Sequence, residues 1–323
     1  MAQLRANSAD VQHAYRLLLG RDPDSAGLAH FEKFVAENNV FPRDLAALFL
    51  NSEEFRDQNA AFPTLEEVSF HGIKLFPWKG DALIGEQIKI SGEYEPHMLP
   101  LFVDRVPVDG VVLDIGANIG TYALSAARKV GPGGHVFAIE PVSRNVQSLC
   151  AGIVANGLTN VSVLPIAASA RAGVVPILRN TNSSNGIVDT HSKPTTADGY
   201  VPAQRLDFLL ADLKRLDVVK IDIEGHEPIV WPSLEVLLRR HRPVVFAEFN
   251  PAAIRNHSRV DAKNFLNELF AIAPSIDVLR LDKRRVSCVS PDQIMEEWRD
   301  VNRRMGSVEG YCVDLMFETS AQS

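Results

Sequence analysis

Residues 111–120 read VVLDIGANIG, and a second apolar stretch, HVFAIE, ends in Glu140. The first stretch is a nearly continuous apolar run, as expected of a parallel strand covered on both faces. It carries an acid, Asp114, near its end, then turns on small residues before a helical pattern starts. Gly116 permits the tight turn, and Gly120 lets the following helix pack closely on the sheet. This strand–turn–helix–strand spacing predicts an α/β chain with a doubly wound sheet. It also predicts a pocket for an adenosine-containing ligand at the strand ends.

The residue between the glycines selects the ligand. A dinucleotide fold places a third glycine there so that backbone amides reach a pyrophosphate. Here that position is Asn118. Its amide obstructs a diphosphate but can hydrogen-bond the polar groups of an amino acid. Asp114 favours a positive group nearby, and Glu140 offers two acceptor oxygens to two ribose hydroxyls. S-adenosyl-L-methionine (SAM) has an ammonium, a sulfonium and no phosphate, so SAM is the expected cofactor. Two weaker alternatives exist. The glycines could serve packing alone, or the chain could be an NAD-dependent oxidoreductase, but it has no recognisable hydride-transfer set.

A second constellation lies in VVKIDIEGHE, residues 218–227. Ligands of open α/β sheets sit outside the carboxyl ends of the strands, so this turn faces the same crevice. Asp222 is placed to approach the methionine part of SAM or the substrate. His226 and Glu224 are the candidate bases for an acceptor hydroxyl, histidine because it titrates in the useful range. Glu227 reads as a helix-start residue, where a carboxylate suits the macrodipole. Glu248 and Asn250 close the next strand and are expected to line the acceptor pocket. With Asp222 they could also offer oxygens to magnesium. The paired acidic arrangement of metal-dependent enzymes is not clear here, and no metal is expected.

These motifs resemble the FkbM-family methyltransferases: VVLDIGANIGTYAL at 111–124, IEPVSRN at 139–145, VVKIDIEGHE at 218–227, FAEFN at 246–250, and GEYEP at 92–96. The resemblance covers roughly residues 70–317. It implies a class I methyltransferase fold, a Rossmann-like sheet of seven strands with the last antiparallel. It also implies O-methylation of a hydroxyl on a saccharide or related small natural product. Within GEYEP, Tyr94 and Glu95 are expected to fold over the crevice, Glu95 toward the cofactor and Tyr94 toward the acceptor. NTNSSNG at 180–186 reads as a polar turn. Its Asn185-Gly186 pair resembles a family element, so Asn185 is a candidate acceptor contact.

Residues 8–58 have helical apolar spacing and predict a small all-α domain before the sheet. The string YRLLLGRDPDSAGLAHF resembles an uncharacterised bacterial domain found in glycan-assembly and secreted proteins. That resemblance implies docking to a protein or glycan through residues 1–60, the alternative being a stabilising cap. The expected organisation is 1–60 helical accessory domain, 61–105 linker and helical lid, and 106–323 SAM-dependent methyltransferase domain.

At 46% hydrophobic and 23% charged residues, the 323-residue chain has an ordinary globular composition. A net charge of −7 argues against a nucleic-acid partner. No apolar run is long enough for a membrane span, and the start lacks an apolar signal core. Three dispersed cysteines, Cys150, Cys288 and Cys312, read as reduced thiols. The expected location is the cytoplasm. The competing function is a noncatalytic SAM-fold scaffold that recruits the protein to a glycan-assembly complex.

Overall fold

The computed structural model describes residues 5–55, 64–179, 186–188 and 199–319. The expected domain boundary at 60/61 and Asn185 lie outside them. Three helices come first: α1 (Ser8–Leu19), α2 (Ser25–Asn38) and α3 (Pro42–Leu50). Asn7 and Asp10 form a capping box at α1, and Gly20 ends that helix at φ 64°. The Asp24 side chain accepts from the Gly27 amide and starts α2. These helices share their own core of Val11, Tyr15, Leu45 and Phe49.

A hairpin, β1 (Val68–Phe70) and β2 (Ile73–Leu75), leads to α4 (Gly85–Ser91) and α5 (Leu99–Arg105). Phe102 of α5 is fully buried, edge-on to Tyr122 and Phe246 at 5.0 and 5.4 Å. These contacts fix α5 to the central sheet. The sheet contains β3 (Val111–Ile115), β4 (His135–Ile139), β5 (Val161–Leu164), β10 (Val218–Ile221), β11 (Val244–Phe249), β12 (Ile276–Leu279), β13 (Arg285–Cys288) and β14 (Val313–Glu318). Their spatial order is β13-β12-β14-β11-β10-β3-β4-β5. Of these, β14 pairs antiparallel with β11 and β12, and β13 antiparallel with β12; the pairings from β5 to β11 are parallel.

This is the class I methyltransferase sheet with one strand more than the seven expected. The extra strand, β13, folds back on β12 as an edge hairpin. Of its four residues only Cys288 is buried, so no apolar run announced it. Helices α6 (Thr121–Val130) and α7 (Ser143–Ala155) cover one face. Helices α8 (Glu227–His241), α9 (Ala262–Phe270) and α10 (Pro291–Arg304) cover the other. Strand order reverses between β3 and β10, which opens a crevice beyond their carboxyl ends.

A second sheet, β6 (Ala167–Ala168), β7 (Gly173–Arg179), β8 (Gly186–Val188) and β9 (Gly199–Gln204), stands beside that crevice in the order β6-β9-β7-β8. Helix α1 rests on it. Tyr200 of β9 donates to Asp22 at 2.9 Å, and the Arg16 guanidinium lies 5.5 Å from the Tyr200 ring centre. No helix among the described residues is long and apolar enough to cross a membrane.

Candidate active site

The crevice is walled by the turns after β3, β4 and β10, by Glu248 of β11, by Tyr94 and Glu95 between α4 and α5, and by Ala167 and Ala168 of the small sheet. Gly116, Asn118, Glu140, Asp222, Glu224, His226, Glu248, Tyr94 and Glu95 all line it. Segments as far apart in sequence as GEYEP and FAEFN therefore meet at one place. Asp114, Gly120 and Asn250 do not line it. Asp114 lies behind the surface, 1% exposed. Gly120 serves packing, since a Cβ there would meet Leu149 Cδ1 at 2.5 Å. Asn250 turns away; its Oδ1 accepts from the Ala253 amide at 3.1 Å and caps a short helical turn.

The β3 turn is held by two contacts. Gly116 adopts φ 86°, and a Cβ there would sit 1.9 Å from the Asp222 carbonyl oxygen. The Asn118 amide donates to Glu140 Oε2 at 2.8 Å, and the Val142 amide donates to Oε1 at 2.8 Å. The Glu140 carboxylate is thus aimed by backbone donors. Asn118 Oδ1 and Thr121 Oγ1 are buried atoms on this wall without a hydrogen-bond partner among the described residues. Both Asp114 oxygens likewise lack a well-aligned donor.

The residue that organises the far wall is Lys220, which the sequence reading left without a role. It stands in β10 in register with Asp114 of β3 and is 2% exposed. Its Nζ donates to Asp222 Oδ2 at 2.9 Å and lies 4.5 Å from the Tyr122 ring centre. Burial opposes its charge, but Asp222, Glu95 and Asp114 outweigh burial and hold the ammonium firmly charged. The signal was available: a lysine inside the apolar strand VVKI must be paired to be tolerated. Tyr122 OH donates to Glu95, and His97 Nε2 pairs with Asp314 Oδ2 at 2.5 Å.

The loop after β10 is clamped from behind. The Ser258 hydroxyl donates to the buried Gly225 carbonyl at 2.5 Å, and His257 Nδ1 meets the Glu224 carbonyl. A Cβ on Gly225 would lie 2.4 Å from the Ala253 carbonyl carbon. Glu224 is held at φ 58°, a conformation costly for a residue with a side chain. The buried His226 stacks on His257, ring centres 6.1 Å apart. Glu227 accepts from the Ile223 amide at 3.0 Å and closes the loop onto the start of α8.

Burial raises the proton affinity of most of these carboxyls. Asp114 moves up to about 6, and Glu95, Glu140 and Glu227 to about 7. Glu224 reaches about 8 through burial plus repulsion from Asp222 and Glu227. Glu248 rises well above the carboxylate range for the same kind of reason. The folded state therefore holds more protons than the unfolded state, and stability is lost as pH rises from the unfolded carboxyl value toward the folded ones. The ligand-free protein should show a Tm that falls between about pH 5 and about pH 8, read by scanning calorimetry. Lowered values at His135 and His241 pull weakly the other way. A Tm that climbs through this window would contradict the buried-acid arrangement.

Residues 114–272 match the family model described as the Methyltransferase FkbM domain. Hexuronic acid methyltransferase AglP of Haloferax volcanii is 25% identical over 201 residues, 58% of this chain and 73% of that protein. The crystal structure of methyltransferase FkbM from Methylobacillus flagellatus aligns with 18% identity and a TM-score of 0.41. That alignment covers 65% of this chain but 44% of the other, so this chain spans less than half the length of that protein. An O-methyltransferase from Bacillus cereus in complex with SAH aligns with 16% identity and a TM-score of 0.41, covering 71% and 83%.

Proposed function

This chain carries an FkbM-family methyltransferase domain, and from that premise we propose that it is a SAM-dependent O-methyltransferase of a saccharide or related hydroxylated small molecule. One observation carries the reading. The Asn118 amide is bonded to Glu140 while Gly116 packs close to the Asp222 carbonyl, so three strand ends form one cleft, with Asn118 where a dinucleotide fold has its phosphate-facing glycine. Glu140 is placed for the ribose hydroxyls, and Asn118, Asp222 and Glu95 for the amino-acid end of SAM. Asn118 Oδ1 and Thr121 Oγ1, without a hydrogen-bond partner among the described residues, suit a polar ligand on that wall. The hexuronic acid named for the Haloferax volcanii relative supports a sugar acceptor.

When bound, SAM supplies the methyl group: the acceptor oxygen bonds to that carbon as the carbon–sulfur bond breaks, S-adenosylhomocysteine leaves, and the hydroxyl proton is released. The chain's own residues must orient the acceptor and take that proton. Glu224, whose proton affinity sits near neutrality, and His226 line the cleft on the same loop. Glu248 and Tyr94 line the same cleft and are the acceptor contacts of this reading, and Lys220 holds the Asp222 carboxylate.

Calorimetric titration with SAM and with S-adenosylhomocysteine tests the cofactor half. Absence of binding by both would remove the proposal. Glu140→Gln, which keeps the shape but halves the acceptor capacity, should weaken S-adenosylhomocysteine roughly tenfold, about 1.4 kcal/mol. The Tm should move by only a few degrees. An unchanged Kd would take Glu140 out of the ribose contact.

A further inference from the structure

The far wall of the cleft has a charge imbalance. Glu95, Asp222, Glu224 and Glu248 line it, and Lys220 is the single lysine or arginine among the described lining residues. That ammonium is already committed, to Asp222 at 2.9 Å and to the Tyr122 ring. Asp222 is thereby balanced, and Glu95 shares the Lys220 charge and is assigned to the amino-acid end of SAM, which leaves Glu224 and Glu248. Behind them Asp314 adds another acid, itself balanced by His97. Thr121, 4% exposed, lines the same cleft with a hydroxyl oxygen that has no hydrogen-bond partner among the described residues.

The chemistry of such a wall selects by charge. An acceptor bearing a carboxylate or phosphate would add an anion beside these acids, with no lysine or arginine among the described lining residues left to meet it. An acceptor bearing an ammonium would supply the missing counter-charge and let the carboxyls ionise. Their raised proton affinity is what mutual repulsion and burial produce when that counter-charge is missing.

Resting on the reading of the cleft as a methyl-transfer site, we propose that the acceptor carries an ammonium group beside the methylated hydroxyl, as an amino sugar does, and that Glu224 and Glu248 receive it. This class is opposite in charge to the hexuronic acid named for the Haloferax volcanii relative. The acceptor specificity of the two proteins would then differ through charge, on a similar domain.

The test uses the full chain, methyl-labelled SAM and a metabolite and glycan extract of the source organism. Labelled products are separated by ion exchange near neutral pH, before and after N-acetylation with acetic anhydride. The expected label is held by the cation exchanger, exceeds the anionic fraction at least about tenfold, and leaves the cation exchanger once the amine is acetylated. Glu248→Gln should raise the extract concentration needed for half-maximal labelling about tenfold while S-adenosylhomocysteine binding stays as in the parent. Label in the anionic or neutral fraction overturns the amine and leaves the methyl-transfer reading standing. No label in any fraction overturns methyl transfer itself, whether or not S-adenosylhomocysteine binds, and this proposal falls with it.

Discussion

Lys220→Met should lower stability by about 3–5 kcal/mol near pH 8, the range for breaking a buried ion pair from one side. The reason is local. Methionine fills similar space, so little cavity is created, but Asp222 loses its partner at 2.9 Å and Glu95 and Asp114 lose their compensating charge. The deficit should shrink toward about pH 5, because protonated carboxyls need no counter-charge. Lys220 itself stays charged throughout that range, so the pH dependence belongs to the acids around it. Thermal unfolding of the parent and the variant at both pH values gives the difference. Activity should fall by at least about a hundredfold, since the loop that holds Asp222 and Glu224 would no longer be fixed. A variant as stable as the parent near pH 8 would mean that the carboxyls are already neutral there, and the electrostatic account of the far wall would fail.

How much of this wall was legible in the sequence depended on the range of the information needed. The β3 turn was legible because its signal is local: an apolar run, an acid and two glycines specify a strand, a turn and a helix start. The structure has Gly116 at φ 86° and Gly120 at φ 98°, where such a turn needs them. The convergence of Glu140, Asp222, Glu224 and Glu248 followed from one rule about strand ends. The role of Lys220 was not legible in that way. Its meaning comes from register with Asp114 on a neighbouring strand and from Tyr122 on a helix, neither fixed by spacing along the chain. Asn250 failed for the opposite reason. Strand-end logic placed it at the cleft, but an asparagine before Pro251 satisfies its local backbone first, by capping the next turn. Strand β13 and helix α10 were also missed. The strand is an exposed edge, and α10 buries only Ile294, Trp298, Val301 and Asn302 from fourteen residues, a narrow stripe inside a strongly charged run. The Asp114 expectation changed in content. The positive group that faces it is the chain's own Lys220, whatever the cofactor adds.

Gly116→Ala should weaken S-adenosylhomocysteine binding by at least about a hundredfold, about 2.7 kcal/mol, with the fold retained. Two independent costs act at this residue. At φ 86° an L side chain is strained by about 1–2 kcal/mol. In addition, a Cβ would lie 1.9 Å from the Asp222 carbonyl oxygen and 3.0 Å from its carbon. Those are backbone atoms at the end of β10, tied to β3 by the Asp222 amide, which donates to the Ile115 carbonyl at 3.0 Å. They cannot swing aside as a side chain does. Relief must come from separating the β3 turn from the β10 loop, and that seam joins the proposed cofactor and acceptor halves of the cleft. Gly120→Ala is the informative control. Its φ is also positive, but the nearest atoms are side-chain atoms, Cδ1 of Leu149 and Cγ and Cδ1 of Leu124, which can move. That variant should lose stability by about 1–3 kcal/mol while changing S-adenosylhomocysteine affinity by less than about threefold. If both alanine variants bound the ligand like the parent, the close approach of Gly116 to Asp222 would be packing alone. If both lost binding equally, the whole turn rather than the seam would be the determinant. Loss at Gly116 with retention at Gly120 is the pattern this geometry requires.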